Sequence, residues 1–259
     1  MKYILTENQY RRISEISVIK GRMSVSDTYT QILDSIRNKV KDKTYYKAVK
    51  DYFKNVLGYP EKIKKGKIED YAEDLFNGDI RNLPKEFRNS DVIANLTYHL
   101  AKLYLKVKNI GELECYIEKD SFGRTYYFFD PELEICIGYI TCKNISGDYH
   151  SIRLPNDSYT VSTSQVDEGL SGRGYGKQMY FAIIEDVQVL LSDTMLYTDS
   201  LNIWVNVLPK YVYVGAIIED KKKPRILTPK TPILDHDYVV RYFATKNPDY
   251  IKPSRHSYF

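Results

Sequence analysis

The sequence predicts an α+β fold: a helical N-terminal region, then a mixed, mostly antiparallel sheet flanked by helices, then an extended C-terminal arm. Three observations carry this. Apolar residues in the first hundred positions recur at helical spacing. From Lys108 the pattern changes to short segments rich in Ile, Tyr and Phe, separated by turn residues. A glycine-rich loop then joins one such segment to an amphipathic helix. The expected boundaries are residues 1–107 for the helical region, 108–227 for the sheet and 228–259 for the arm.

The helices follow in order. Thr6 and Gln9 make a capping-box pattern ahead of Tyr10, Ile13 and Ile16. Ile32, Leu33, Ile36 and Val40 share one helical face, with Asp27 as its cap. A third helix starts at Tyr45 and stops before Gly58-Tyr59-Pro60. Ile68, Tyr71, Ala72, Leu75 and Phe76 mark a fourth, and Ser90 opens a strongly apolar fifth through Leu103.

The strands come next. The expected runs are 112–119, 124–130, 134–143 and 149–154, split by turn signals at Ser121-Phe122-Gly123, Asp130-Pro131, Ser146-Gly147-Asp148 and Pro155-Asn156-Asp157. A fifth run, 159–166, leads into the glycine loop. A helix from about Gly174, a short apolar run at 187–191, a helix at 198–207 and a strand at 211–219 complete the sheet region. The arm mixes Tyr, Arg, Lys and Pro without a clear period.

Composition narrows the function classes. The 38 Lys and Arg against 34 Asp and Glu leave a net charge of +4 over 259 residues. That balance tolerates an anionic ligand and argues against nucleic acid as the main partner. No apolar run reaches the ~18 residues a membrane span needs. The start, Met1 to Arg12, lacks a signal-peptide apolar core. Cys115, Cys136 and Cys142 make neither a disulfide framework nor a zinc pattern, so they read as buried reduced thiols and point to a cytoplasmic protein. No His, Asp or Glu cluster has metal-ligand spacing. The 25 tyrosines against one tryptophan accompany many Lys, Ile and Asn, as in AT-rich genomes.

The most informative stretch runs from Val166 to Lys177. Gly172, Gly174 and Gly176 alternate at the start of a helix, where backbone N–H groups lack intrahelical acceptors and favour phosphate. Arg173 and Lys177 add charge. Lys177 is followed by Gln178, so the GxxxxGK[ST] phosphate loop is not met, and the glycines do not fit GxGxxG.

This stretch resembles motif A of the GCN5-related N-acetyltransferases, [Q/R]-x-x-G-x-[G/A], with Ser171-Gly172-Arg173-Gly174-Tyr175-Gly176 at its six positions. The resemblance covers roughly residues 110–220 and implies a GNAT-like sheet. It implies acetyl-coenzyme A as cosubstrate and an amine as acceptor. Main-chain groups of Gln165 and Val166 would face the pantetheine. Ser171, Gly172, Arg173, Gly174, Tyr175, Gly176 and Lys177 would hold the pyrophosphate. Ser171 departs from the family's Gln or Arg, and no tyrosine stands in register on the late helix, which reads Ile203-Trp204-Val205. Asp167 and Glu168 are candidate bases, and Tyr197 and Tyr211 are candidate acids. The alternative expectation is a non-catalytic assembly component, of a phage virion, that keeps the fold. It would meet protein partners through the helical region and the arm, and would lie in the host cytoplasm or the particle.

Overall fold

A computed structural model describes residues 27–40, 44–55, 65–77, 81, 83, 88, 90–193, 196, 198–218, 223–228 and 239–253. The capping box at Thr6 and Gln9 lies outside them. Four helices come first: α1 (Asp27–Lys39), α2 (Tyr45–Asn55), α3 (Lys65–Phe76) and α4 (Ser90–Tyr104). Their apolar stripes point inward, with Ile32, Leu33 and Ile36 of α1 fully buried, as the spacing predicts.

Among the described residues, nine strands form one sheet. They are β1 (Lys108–Ile110), β2 (Leu113–Lys119), β3 (Gly123–Asp130), β4 (Ile135–Asn144), β7 (Ser158–Val166), β8 (Val189–Leu191), β9 (Tyr213–Ile218), β10 (Arg225–Leu227) and β11 (Val239–Thr245). Their spatial order is β1-β2-β3-β4-β7-β8-β11-β9-β10. The β7–β8 pair is parallel and the others are antiparallel. Helix α5 (Tyr175–Asp186) supplies the crossover between the two parallel strands. The predicted α+β class, with a mostly antiparallel sheet flanked by helices, is the class observed.

Helices α1 to α4 and α5 bury the sheet in one continuous core that runs from Tyr29 to Ala244. On the α1 face, Tyr116, Tyr127 and Tyr139 are cross-strand partners in β2, β3 and β4. Ser35 of α1 donates to Glu118 of β2 at 3.0 Å, and the Tyr127 hydroxyl donates to the same carboxylate at 3.4 Å. On the α5 face, Asp186 accepts from Tyr126 at 2.9 Å, from Arg124 at 3.0 Å and from Lys108 at 2.6 Å.

Two expectations need correction. Residues 149–154, expected as one strand, are split. Tyr149 ends β5 (Gly147–Tyr149), Ile152 starts β6 (Ile152–Leu154), and His150 between them has a left-handed φ of 48°. That turn makes a hairpin, which pairs with β12 (Lys252–Pro253) in a separate small sheet. The second correction falls in the arm. Val239–Thr245 is an interior strand, inserted between β8 and β9. Leu191, Ile217 and Phe243 form a second cluster with Ile152 and Leu154 of the small sheet. Interior strands covered on both faces lose the polar–apolar alternation by which a strand is recognised.

Candidate functional site

Strands β7 and β8 run parallel and pair over a short stretch only. The two strands pair from Ser158 to Thr160, against Val189 to Leu191. Beyond Thr160 they share no backbone pair among the described residues, although β7 continues for six residues to Val166. The other edge of β7 stays paired to β4 as far as Val166 opposite Gly138.

Local contacts shape β7 on both of its edges. The β4–β7 register shifts between Thr141 and Cys142, which leaves Ser162 as an extra residue on β7. Such a bulge bends its strand and raises its twist. The Ser162 hydroxyl holds it by donating to the Thr141 carbonyl at 3.1 Å. On the other side, Thr160 donates to the Ser192 carbonyl at 3.0 Å. Buried Ser192 turns the chain end of β8 toward β11: the Tyr242 N–H donates to its hydroxyl at 3.1 Å, and its own N–H donates to the Tyr242 carbonyl at 2.8 Å. Gly138 is required for the close β4–β7 approach, since a Cβ there would sit 2.2 Å from the Gln165 carbonyl oxygen.

At the end of β7 stands the glycine loop. A 3₁₀ turn (Glu168–Leu170) leads to Ser171, Gly172, Arg173 and Gly174, all exposed. Gly172 and Gly174 have φ of 79° and 84°, the left-handed region that side chains strain to adopt. Gly174 caps α5 with no side-chain acceptor. The first intrahelical bond is donated by Gln178 to the Gly174 carbonyl, so the N–H groups of Tyr175, Gly176 and Lys177 precede the ladder. Gly176 has a different role. A Cβ there would make ordinary contacts with Ile203 and Val166, at 3.5 and 3.9 Å, so this glycine brings the helix start, the end of β7 and the late helix together.

The loop is braced from both faces. Buried Tyr175 donates to Asp130 at the end of β3, at 2.6 Å, and Asp130 also accepts the Glu132 and Leu133 N–H groups at 2.8 and 2.9 Å. Burial, reinforced by Asp130, pushes the Tyr175 phenol well up. From the other face Tyr29 of α1 hydrogen-bonds Asp167. Burial and then that carboxylate drive the Tyr29 phenol up. Asp167 also accepts the Gly169 N–H at 3.0 Å. Asp91, in the first turn of α4, is raised by burial and by Asp167 and is opposed by Arg173.

The other predicted residues fall as follows. Gln165 and Val166 are half-buried in the part of β7 beyond its pairing with β8, with Gln165 opposite Tyr139. Lys177 lies over the rings of Tyr211, at 5.0 Å, and Phe181, at 5.8 Å. Tyr211 is exposed and packs edge-on against Phe181. Tyr197 and the Glu168 side chain lie outside the described residues. The three cysteines are free and buried among strands. His99 is half-buried, 3.6 Å from Glu134. Trp204 is fully buried in a π-helical turn (Ile203–Val207) that continues α6 (Thr198–Asn202), and it packs edge-on against Tyr180. The sequence reading missed the Ser162 bulge and the Ser192 junction. Neither has a local signal, because both depend on which strands become neighbours.

Among solved structures, the chain is similar to an acetyltransferase of the GNAT family from Staphylococcus aureus Mu50, at 12% identity, over 86% of this chain and 95% of that one, with a TM-score of 0.27. It is also similar to Tetrahymena GCN5, at 15% identity, over 73% of this chain and 94% of that one, with a TM-score of 0.24. No family model matches the sequence, and no curated protein matches it.

Proposed function

We propose that the chain is an acetyl-coenzyme A-dependent N-acetyltransferase acting on an amine. The observation that carries this reading is the short parallel β7–β8 pair, which ends at Thr160 and leaves the rest of β7 without a backbone partner on that side among the described residues, with the N-terminus of α5, which has no side-chain cap, beyond the end of β7. An unpaired strand edge offers alternating N–H and C=O groups to an extended, amide-bearing arm such as pantetheine. The N–H groups from Gly172 to Lys177 suit its pyrophosphate, and nothing lies within 4 Å of a Cβ placed on Gly172 or Gly174. Arg173 and Lys177 add charge at the same end of the helix.

Bound acetyl-coenzyme A would supply an acetyl group activated as a thioester. The chain's own work is positioning. The sheet holds thioester and amine together, which removes much of the entropic barrier. A backbone N–H in the open part of β7, toward Val166, polarises the carbonyl where negative charge develops. Asp167 is committed to Tyr29 and Gly169, so the proton of the incoming amine falls to Glu168 beside it. Tyr211 or Tyr197 returns a proton to the leaving thiolate. Thiol release from acetyl-coenzyme A, followed with a panel of primary amines, tests the proposal. Amine-dependent release that disappears in Gly174→Val supports it. Release at the buffer rate with every amine, in a folded protein, favours the assembly component instead.

A further inference from the structure

A second concave site lies away from the glycine loop, where the ends of α1 and α4 meet β1 and β2. It is a half-open hollow of about 330 Å³, within the size range of small-molecule sites. Four of its lining residues are lysines: Lys39 from α1, Lys106 from the connection after α4, Lys108 from β1 and Lys119 from β2. The rest of its lining is Tyr104, Tyr116 and Ile117, and no carboxylate lines it.

The four ammonium groups differ in what already satisfies them. Lys39 donates to the Tyr116 hydroxyl and lies 4.4 Å from the centre of that ring. Lys108 pairs with Asp186 at 2.6 Å. Lys106 and Lys119 have no ion pair or hydrogen bond among the described residues. The nearby acids are occupied: Glu118 by Ser35 and Tyr127, and Asp186 by Lys108, Arg124 and Tyr126. Tyr116 and Asp186 hold the Lys39 and Lys108 ammonium groups on opposite sides of the sheet edge, so the uncommitted charge at the hollow is that of exposed Lys106 and Lys119, whose solvent-screened repulsion is relieved when an anion sits between them. Each lysine is an isolated point charge, so a ligand that meets several needs several separated negative oxygens. Half-buried Tyr104 and Ile117 give it an apolar wall for an organic portion.

We propose that this hollow binds a small molecule carrying at least two phosphate-level charges, of the nucleoside diphosphate class. It is a site separate from the unpaired end of β7 and does not depend on the acetyltransferase reading. A volume of this size suits one mononucleotide-sized guest.

Titration of the full chain with pyrophosphate and with ADP at low salt tests this. It is run on the wild type, on Lys106→Gln/Lys119→Gln, and on Gly174→Val, which removes the glycine loop as a rival phosphate site. The expected result is one bound ligand per chain that persists in Gly174→Val. In the double lysine variant it weakens about tenfold or more, and it weakens with added salt. The ligand-free melting temperature of the double variant should stay level or rise, because repulsion is relieved. Equal affinity in the double variant, or no binding in Gly174→Val that melts like the wild type, overturns the proposal. A single-stranded oligonucleotide that binds more tightly than ADP, and is lost on the same substitutions, would replace the small molecule with a polymer.

Discussion

Gly174 is where backbone geometry and ligand chemistry meet. Its φ of 84° lies where a β-branched residue is strained, and the space above it is open, so a side chain there would project toward an approaching phosphate. Gly174→Val should therefore remove coenzyme A binding and leave the circular dichroism of the helices unchanged. A variant binding as well as the wild type would make the loop an ordinary turn. Tyr175, one residue on, is structural. Tyr175→Phe deletes a hydrogen bond to a carboxylate and should cost about 1.5 kcal/mol, or roughly 3–6 °C in melting temperature. An unchanged melting curve would show that Asp130 is satisfied by its own turn. His99 carries the pH dependence. Burial lowers its pKa below the ordinary 6.5, and Glu134 opposes this only in part. A folded-state pKa below the unfolded one means that the unfolded chain binds more protons. Stability from this group is present above about pH 6.5 and is lost as pH falls from there through the folded value. His99→Gln should flatten the acid-side slope of melting temperature between about pH 5 and 7. An unaltered slope would assign the effect to other groups.

Elements with a strong local period were legible in the sequence. Helix α4 begins at Ser90, and β2, β3, β4 and β7 lie within a residue of their expected starts. The glycine loop was legible because positive φ leaves a glycine signature. Strand β11 was not. Its Arg241 reads as a surface residue, yet it is covered by Tyr149 of β5 at 3.2 Å and by Asp193 at 3.7 Å. Its Phe243 is buried against Gly215 of β9, where an added Cβ would lie 2.3 Å from the ring. The Ser162 bulge was not legible either, since it exists only relative to β4. Because β11 joins β8 to β9, truncation before Val239 should unfold the sheet region and not merely remove a docking arm. Gly215→Ala, a smaller perturbation at the same contact, should cost about 1–3 kcal/mol from overpacking. A soluble truncated protein with wild-type melting would contradict the placement of β11.

At the scale of the whole molecule, the helical region and the sheet act as one body. Their buried residues form one cluster, and Tyr29 of α1 reaches Asp167 at the start of the glycine loop. Among the described residues, no helix is long and apolar enough to cross a membrane. The N-terminal helices thus brace the proposed cofactor site beside the unpaired end of β7. The central claim is that the unpaired end of β7 and the glycine loop receive acetyl-coenzyme A. Calorimetric titration of the purified chain with acetyl-coenzyme A tests it without knowledge of the acceptor. The account predicts one site per chain, lost in Gly174→Val and kept in Lys106→Gln/Lys119→Gln. Ligand at 100 times its dissociation constant should stabilise the fold by about 2.7 kcal/mol. No heat of binding, with a melting curve unmoved by millimolar ligand, would contradict it.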